Sequence, residues 1–396
     1  MQKILIVHNE YQFRGGEATY VSAQIELLQN QGHKVHLLVK NNQELQQSSP
    51  FKLFKSALNS AWNPQAQIEI DRAIDSFAPD LLHAHNFFPL WSPAIHHIAQ
   101  KRDIPTIQHL HNYRLGCLNS CLFRNNQICE LCVGKNPWRG VLYQCYRNSF
   151  LASGAVWYML TVNRWRNTWI KDVSMFLTPS HFSAQKLVEI GLPAEKMRVL
   201  PNFVSDPLAN PVPSPTLNAP PTFLFVGRLS AEKGIMHLLQ AWSLLSQPEW
   251  RLQIVGDGLL LPDIQQFIQE KSLTNVQLLG RKPKSEVQTL MQNALAVLVP
   301  SICYETFGLS VIEGWANDKP VLASDIGALR ELIADGVNGW RIPPYDRQAW
   351  VDRLRWCGEH LSELALMGRN GRSSYLAKYT PAKHYEQLIN VYRSLV

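Results

Sequence analysis

Short apolar runs separated by amphipathic stretches constrain this chain more than any other feature. The first half carries KILIV (3–7), KVHLLV (34–39), PDLLHAH (79–85), IPTIQHLH (104–111), MFLTPS (175–180) and MRVLPNF (197–203). The second half carries TFLFVGRL (222–229), LQIVGDG (252–258), NVQLLG (275–280), ALAVLVPS (294–301) and KPVLAS (319–324). Continuous runs of this length read as strands buried on both faces. The spacers, such as 18–31 ahead of Gly32 and 234–247 ahead of Pro248, read as helices. The pattern predicts an α/β chain built on doubly wound parallel sheets. A Pro-rich stretch without apolar periodicity, DPLANPVPSPTLNAPP (206–221), divides the two series and predicts a linker. Two Rossmann-like domains are therefore expected, over 1–205 and 222–379, facing across a cleft at the carboxyl ends of their strands. Residues 380–396 predict a last amphipathic helix. One segment, 112–170, breaks the alternation with five of the seven cysteines and many aromatics, and reads as an insertion in the first domain.

Composition narrows the function classes. At 396 residues the chain exceeds a single core, and 46% apolar with 17% charged residues excludes a disordered chain. A formal charge of +7 suits anionic partners such as nucleotide diphosphates, lipid phosphates or an inner membrane face. No run of five basic residues occurs, so nucleic acid is not expected. The opening ILIV is too short for a signal core, and no window approaches the roughly 18 apolar residues that span a bilayer. The expected location is cytoplasmic, with peripheral attachment at the inner membrane face left open.

Four motifs fall at predicted strand ends. Glu305-Thr-Phe-Gly-Leu-Ser-Val-Ile-Glu313 follows the run ALAVLVPS. Gly308 permits close backbone approach, and a helix starting there would offer the N–H groups of Phe307, Gly308 and Leu309 to an anion. Glu305 would precede that helix and Glu313 would lie inside it, so both can flank one ligand. The plain alternative makes Glu305 a cap and Glu313 a solvated helix residue. Arg228 and Lys233 lie in the loop after TFLFV, where two cations can hold a diphosphate and stabilise its departing charge, unless the loop is a solvated basic turn. Arg14-Gly15-Gly16 would let backbone amides reach a phosphate, or form a tight turn without a ligand. In His109-Leu-His111-Asn112 a period of two puts both imidazoles on one face, with His85 ending the preceding strand. Hydrogen-bonded structural histidines are the alternative there.

Taken with SHFSAQKL (180–187), LPNFV (200–204), VGDG (255–258) and GVNGWRIPP (336–344), these motifs resemble the retaining glycosyltransferases of family 4, which have the GT-B architecture. The resemblance covers nearly the whole chain. It implies an acceptor domain, then a donor domain, and a C-terminal helix that crosses back to the first. Glu313 would bind the ribose hydroxyls and Glu305 the donor sugar, while the amides of Phe307, Gly308 and Leu309 would bind sugar and phosphate. Arg228 and Lys233 would hold the diphosphate. Backbone at Gly280 and Arg281 would face the base, His111 would approach the donor sugar, and Gly15-Gly16 would close over the phosphate. The donor would be a UDP- or GDP-sugar, and the acceptor a glycan or a polyprenyl-linked sugar. Neither a dedicated nucleophile nor an Asp-x-Asp metal signature stands in the chain, which implies retention through a stabilised leaving group with no cofactor required for catalysis. Phe203-Val204 replaces the Gly-Val-Asp that many members carry, so no donor preference is taken from that loop.

Within the insertion, Cys117, Cys121, Cys129, Cys132 and Cys145 admit three readings: a structural zinc through Cys129 and Cys132 with others, free thiols, or disulfides. The pattern HNYRLGC…CELC…CYRNS resembles enzymes of bacterial surface-glycan and exopolysaccharide synthesis. Trp138, Trp157, Trp165 and Trp169 interleave with Arg139, Arg164, Arg166 and Lys171, which suits either an anionic membrane surface or packing on the domain core. Three other functions suit the same architecture. A sugar phosphorylase would carry a pyridoxal phosphate lysine, and a nucleotide-sugar epimerase would need acid–base carboxylates. A non-catalytic nucleotide-sugar-binding copy would be expected to lose Arg228 or Glu305.

Overall fold

The computed structural model describes residues 1–10, 16–45, 50–209 and 220–396. The chain divides into two compact units. Unit 1 comprises 1–124, 129–201 and 384–396, and unit 2 comprises 125–128 and 202–383. Most of the Pro-rich stretch, 210–219, lies outside the described residues, as do Arg14 and Gly15.

Unit 1 holds a parallel six-stranded sheet of β1 (Lys3–Glu10), β2 (Lys34–Asn41), β3 (Leu81–Asn86), β4 (Thr106–His109), β7 (Met175–Thr178) and β8 (Met197–Val199). Its order is β2-β1-β3-β4-β7-β8, and the short strands β5 (Phe123–Arg124) and β6 (Gln127–Ile128) lie outside that sheet. Ile4 to Val7 are fully buried, as continuous apolar runs in parallel sheets should be. One face carries Ile4, Ile6, Leu81, Ile107, Met175 and Leu177. It packs on Leu28 of the first helix, Gly16–Asn30, and on Leu388, Ile389 and Tyr392 of the C-terminal helix, Pro381–Arg393.

Unit 2 repeats the scheme with β9 (Thr222–Val226), β10 (Arg251–Val255), β11 (Val276–Gly280), β12 (Ala296–Val299), β13 (Val321–Ser324) and β14 (Gly339–Ile342). The order β11-β10-β9-β12-β13-β14 is the doubly wound arrangement with a switch point between β9 and β12. Its two cores, one around Trp242, Trp250 and Trp350 and the other around Trp315, Phe307 and Tyr375, cover the two faces.

Part of the insertion is helical. Phe150–Trp165 forms a helix whose N-cap Ser149 accepts from the Ala152 amide, a local signal the aromatic pattern obscures. Among the described residues no helix is long and apolar enough to cross a membrane.

Candidate active site

The unit 2 site is built on loops that leave neighbouring strands. Beyond β12, Gly308 (φ 122°) opens the helix Leu309–Ala316, which has no side-chain cap. A Cβ on Gly308 would fall 2.8 Å from Leu329 Cδ2, so both conformation and space ask for glycine. The uncapped helix start leaves donors that suit an anion. Phe307 turns its ring into the core and Leu309 is half-buried, so these two residues have only backbone to offer a ligand. Ser310 Oγ donates to the Val226 carbonyl at 3.1 Å, which ties the helix start to the end of β9.

After β9 the chain passes Arg228 and Lys233 and reaches Gly234 (φ 68°), where a Cβ would sit 1.8 Å from the Pro300 carbonyl oxygen. That close approach sets Lys233 beside the β12 loop. Lys233 Nζ donates to Glu305 Oε1 at 2.6 Å, and Ser301 Oγ donates to the same oxygen at 2.6 Å. Burial alone would push the Glu305 carboxyl up. The Lys233 ammonium, the two hydrogen bonds and Arg228 outweigh burial and hold it below its ordinary value. Lys233 is raised for the matching reason, Glu305 outweighing burial. The site therefore holds an ionised carboxylate with a fixed cation. Glu313, half-buried in the helix, is pushed up to about 7 by burial, opposed only weakly by Lys284.

The two predicted cations differ. Arg228 is 66% exposed, with Nη2 3.4 Å from Glu232, and is open to solvent. Lys233 is engaged by Glu305, so it orients that carboxylate as well as supplying charge. Gly280 ends β11 with φ 67°, and its carbonyl accepts from the Gly256 amide at 2.9 Å. Arg281 beside it is exposed. Ser301 and Glu232 were not singled out from sequence. Ser301 directly follows Pro300 at a strand end, which was the available signal.

In unit 1 the period of two holds on both strands. His83, His85, His109 and His111 stack, with centroids 4.4 Å apart for His83–His85 and for His109–His111. Tyr20 meets His85, His109 and His111 edge-on, and Tyr392 Oη lies 2.7 Å from His83 Nδ1. His85 Nδ1 and His111 Nε2 are 3.1 Å apart. Burial drives these rings towards the neutral form, with His111 and His83 lowered to about 3. Gly16 begins the first helix. Glu17 after it lies 3.9 Å from His8 and is pushed up to about 8 by burial against Arg114, an environment not foreseen from sequence.

Among the described residues, His83, His85 and His109 bring three metal-competent atoms within 4.8 Å of one another. Their ring planes differ by only 5–22°. The insertion cysteines share a neighbourhood: burial raises the Cys132 thiol with help from Cys129, and raises Cys145 with help from Cys132 and Cys129. They do not form a three-ligand group of that compactness among the described residues.

Comparison with known proteins places this geometry. The model for Glycosyltransferase Family 4 matches residues 14–206, and that for Glycosyl transferases group 1 matches 211–374. D-rhamnosyltransferase WbpZ of Pseudomonas aeruginosa is 34% identical over 163 residues, 41% of this chain and 42% of that protein. O-antigen chain mannosyltransferase C of Escherichia coli is 31% identical over 178 residues, 44% of this chain and 47% of that one. The chain thus spans less than half the length of these curated relatives. The solved structure of Anabaena Alr3699/HepE in complex with UDP and glucose matches at TM-score 0.71 with 18% identity, covering 100% of both chains. Sucrose-phosphate synthase from Thermosynechococcus elongatus matches at 0.72 with 19% identity, covering 100% of this chain and 99% of that one. At such identities the likeness is one of fold, and the fold is GT-B. With one model on 14–206 and the other on 211–374, the chain belongs to the family 4, group 1 glycosyltransferases.

Proposed function

We propose that the protein transfers a sugar from a nucleotide-diphosphate sugar to a glycan or lipid-linked sugar acceptor, with retention of configuration and without a catalytic metal. The observation that carries this reading is the Lys233–Glu305–Ser301 cluster beside the uncapped helix start at Gly308. An ionised, pinned carboxylate suits the hydroxyls of a donor sugar, and free amides suit its phosphate. Arg228, Lys233 and those amides stabilise the diphosphate as it leaves, which is the role a metal plays in other transferases. Glu313 serves the ribose, Gly280 and Arg281 the base, Gly15-Gly16 the phosphate, and His111 the donor sugar. A UDP-sugar is the first donor to try, because UDP is bound in the HepE structure. The name of the O-antigen chain mannosyltransferase favours a polysaccharide acceptor.

A thermal-shift screen across UDP-, GDP- and ADP-sugars, followed by nucleotide release with and without acceptor, tests the reading. One donor class should raise the melting temperature and be consumed only with acceptor, at an undiminished rate in EDTA. Turnover that needs added divalent metal contradicts the metal-free step, and binding without turnover favours the non-catalytic alternative.

The finer location belongs to the same proposal. Residues 131–171 contain Lys135, Arg139, Arg147, Arg164, Arg166 and Lys171 and no acidic residue. Leu151 is 83% exposed, Trp165 80% and Leu142 58%. Exposed aromatic and aliphatic side chains in an acid-free basic segment suit an anionic membrane surface, which would bring the enzyme to a lipid-linked acceptor. Flotation with anionic vesicles should retain the protein. Equal recovery with neutral vesicles, or none with either, would remove this part.

A further inference from the structure

Arg228 has a counter-ion to which the transfer step assigns no role. Its Nη2 stands 3.4 Å from Glu232 Oε1, and the arginine side chain is 66% exposed against 18% for the glutamate. Glu232 is the fixed member of the pair. Ser230 Oγ donates to the same Oε1 at 2.6 Å, and the Ile302 amide donates to the Glu232 carbonyl at 2.9 Å. The short turn Ala231–Lys233 that carries it is closed by the Lys233 amide on the Ser230 carbonyl and the Gly234 amide on that of Ala231. Glu232 therefore has two separate attachments. Its backbone joins the loop after β9 to the loop after β12, one residue past Ser301, while its carboxylate is held beside Arg228. Arg228 needs such a partner because a like charge stands close by. Its guanidinium disfavours the Lys233 ammonium and favours the Glu305 carboxylate. A long, exposed cation next to another cation swings outward unless something opposes it.

We propose that Glu232, held by Ser230, is a positioning residue that keeps the Arg228 guanidinium in the site before a nucleoside diphosphate arrives. The proposal rests on the reading that Arg228 meets the diphosphate. At 3.4 Å the pair is longer than a charge-assisted hydrogen bond, and an exposed pair of this kind is weak. It biases the arm without withholding it. One carboxylate oxygen cannot occupy all five N–H donors of a guanidinium, which leaves donors for phosphate oxygens. Because the arm is gathered before the donor binds, the benefit falls on donor affinity and not on the chemical step.

The test is calorimetry on the full chain in a double-mutant cycle of Glu232→Gln and Arg228→Ala. UDP, GDP and ADP are each titrated into wild type, and the tightest is carried through the cycle. Glutamine keeps an oxygen for Ser230 and the backbone carbonyl for Ile302, so the two loops stay joined. Glu232→Gln should weaken the nucleoside diphosphate about fivefold, the scale set by ordering one long side chain, and leave the matching nucleoside within about twofold. In the Arg228→Ala background the same change should cost less than about twofold. In turnover, Glu232→Gln should raise donor KM about fivefold with kcat within about twofold. Equal losses in the two backgrounds assign Glu232 to the loop alone and overturn the proposal. Unchanged binding in Glu232→Gln overturns it as well, and so does tighter binding, which would make Glu232 a rival of the diphosphate. Undiminished binding in Arg228→Ala, or no binding of any of the three nucleotides to wild type, sinks the diphosphate reading itself, and the proposal with it.

Discussion

The two sheets share one architecture and fill it with opposite chemistry. In unit 2 the buried strand residues are aliphatic or aromatic apart from Ser324 and Gly339, and the charged groups stand in the loops past the strand ends, as Lys233 and Glu305 do. In unit 1 the carboxyl half of one sheet face is imidazole. Leu81 gives way to His83 and His85 along β3, and Ile107 to His109 and His111 along and past β4. The first arrangement separates stability from chemistry. The second places titratable groups where stability is made, so the two units should answer acid differently.

The largest expected effect follows from that contrast. His8, His96 and His384 are lowered to about 4 and His83 and His111 to about 3, while His85 and His109 lie well below 6.5, all chiefly through burial. A depressed histidine is neutral in the fold and takes up its proton only on unfolding. Its contribution is present above pH 6.5 and is lost as pH falls from there towards 4. Glu17, raised to about 8, works the other way between pH 4.5 and 8, but it is one group against seven. In unit 2 the raised carboxyl of Glu313 favours the fold as pH falls from about 7 towards 4.5, and His237, lowered by burial, acts in the opposite direction. Calorimetry between pH 7.5 and 5 should show one transition falling by more than about 10 °C while the other moves by a few degrees at most. Two transitions that shift together would break the comparison.

Next in size is Lys233→Ala, which removes the cation from Glu305 and should cost about 2–4 kcal/mol of transition-state stabilisation, read from kcat/KM. Arg228→Ala should cost a similar amount in kcat while leaving the ionisation of Glu305 nearly intact, because Arg228 is only the last of the influences that lower it. Equal kcat in both variants and wild type would contradict the electrostatic account. The smallest effect sharpens the contrast from the unit 1 side. His109 is fully buried with neither ring nitrogen partnered among the described residues, so His109→Leu should be neutral or stabilising by about 1 kcal/mol at pH 7.5. Its gain over wild type should widen at pH 5. A loss at both pH values would show that the imidazole is needed for its shape.

Much of this was legible in sequence, for a physical reason. Runs such as KILIV and ALAVLV are buried on both faces and so carry no polar interruption to obscure them. β14 is faint in the sequence because Gly339–Ile342 has only two large apolar residues, and the helix Phe150–Trp165 because its Ser149 cap stands among conspicuous tryptophans. Lys233 and Glu305 each followed from their place at a strand end. Their pairing did not, because the partners stand 72 residues apart and meet only where Gly234 lets two backbones touch. The histidine face was half visible. His109 and His111 shared a period of two, but His384, on the last helix with Nε2 3.1 Å from Tyr20, has no local signature.

The membership of residues 384–396 in unit 1 has a consequence for how the protein is made. The segments that build the first sheet leave the ribosome early, yet Leu388, Ile389 and Tyr392, which cover its aliphatic face, follow the whole of unit 2 in the chain. Every segment of unit 2 leaves the ribosome before those three residues do. The usual order, in which the domain nearest the start folds first, is therefore reversed for completion. During translation an uncovered aliphatic surface waits in the nascent chain, and that interval is when a chaperone would have most to hold.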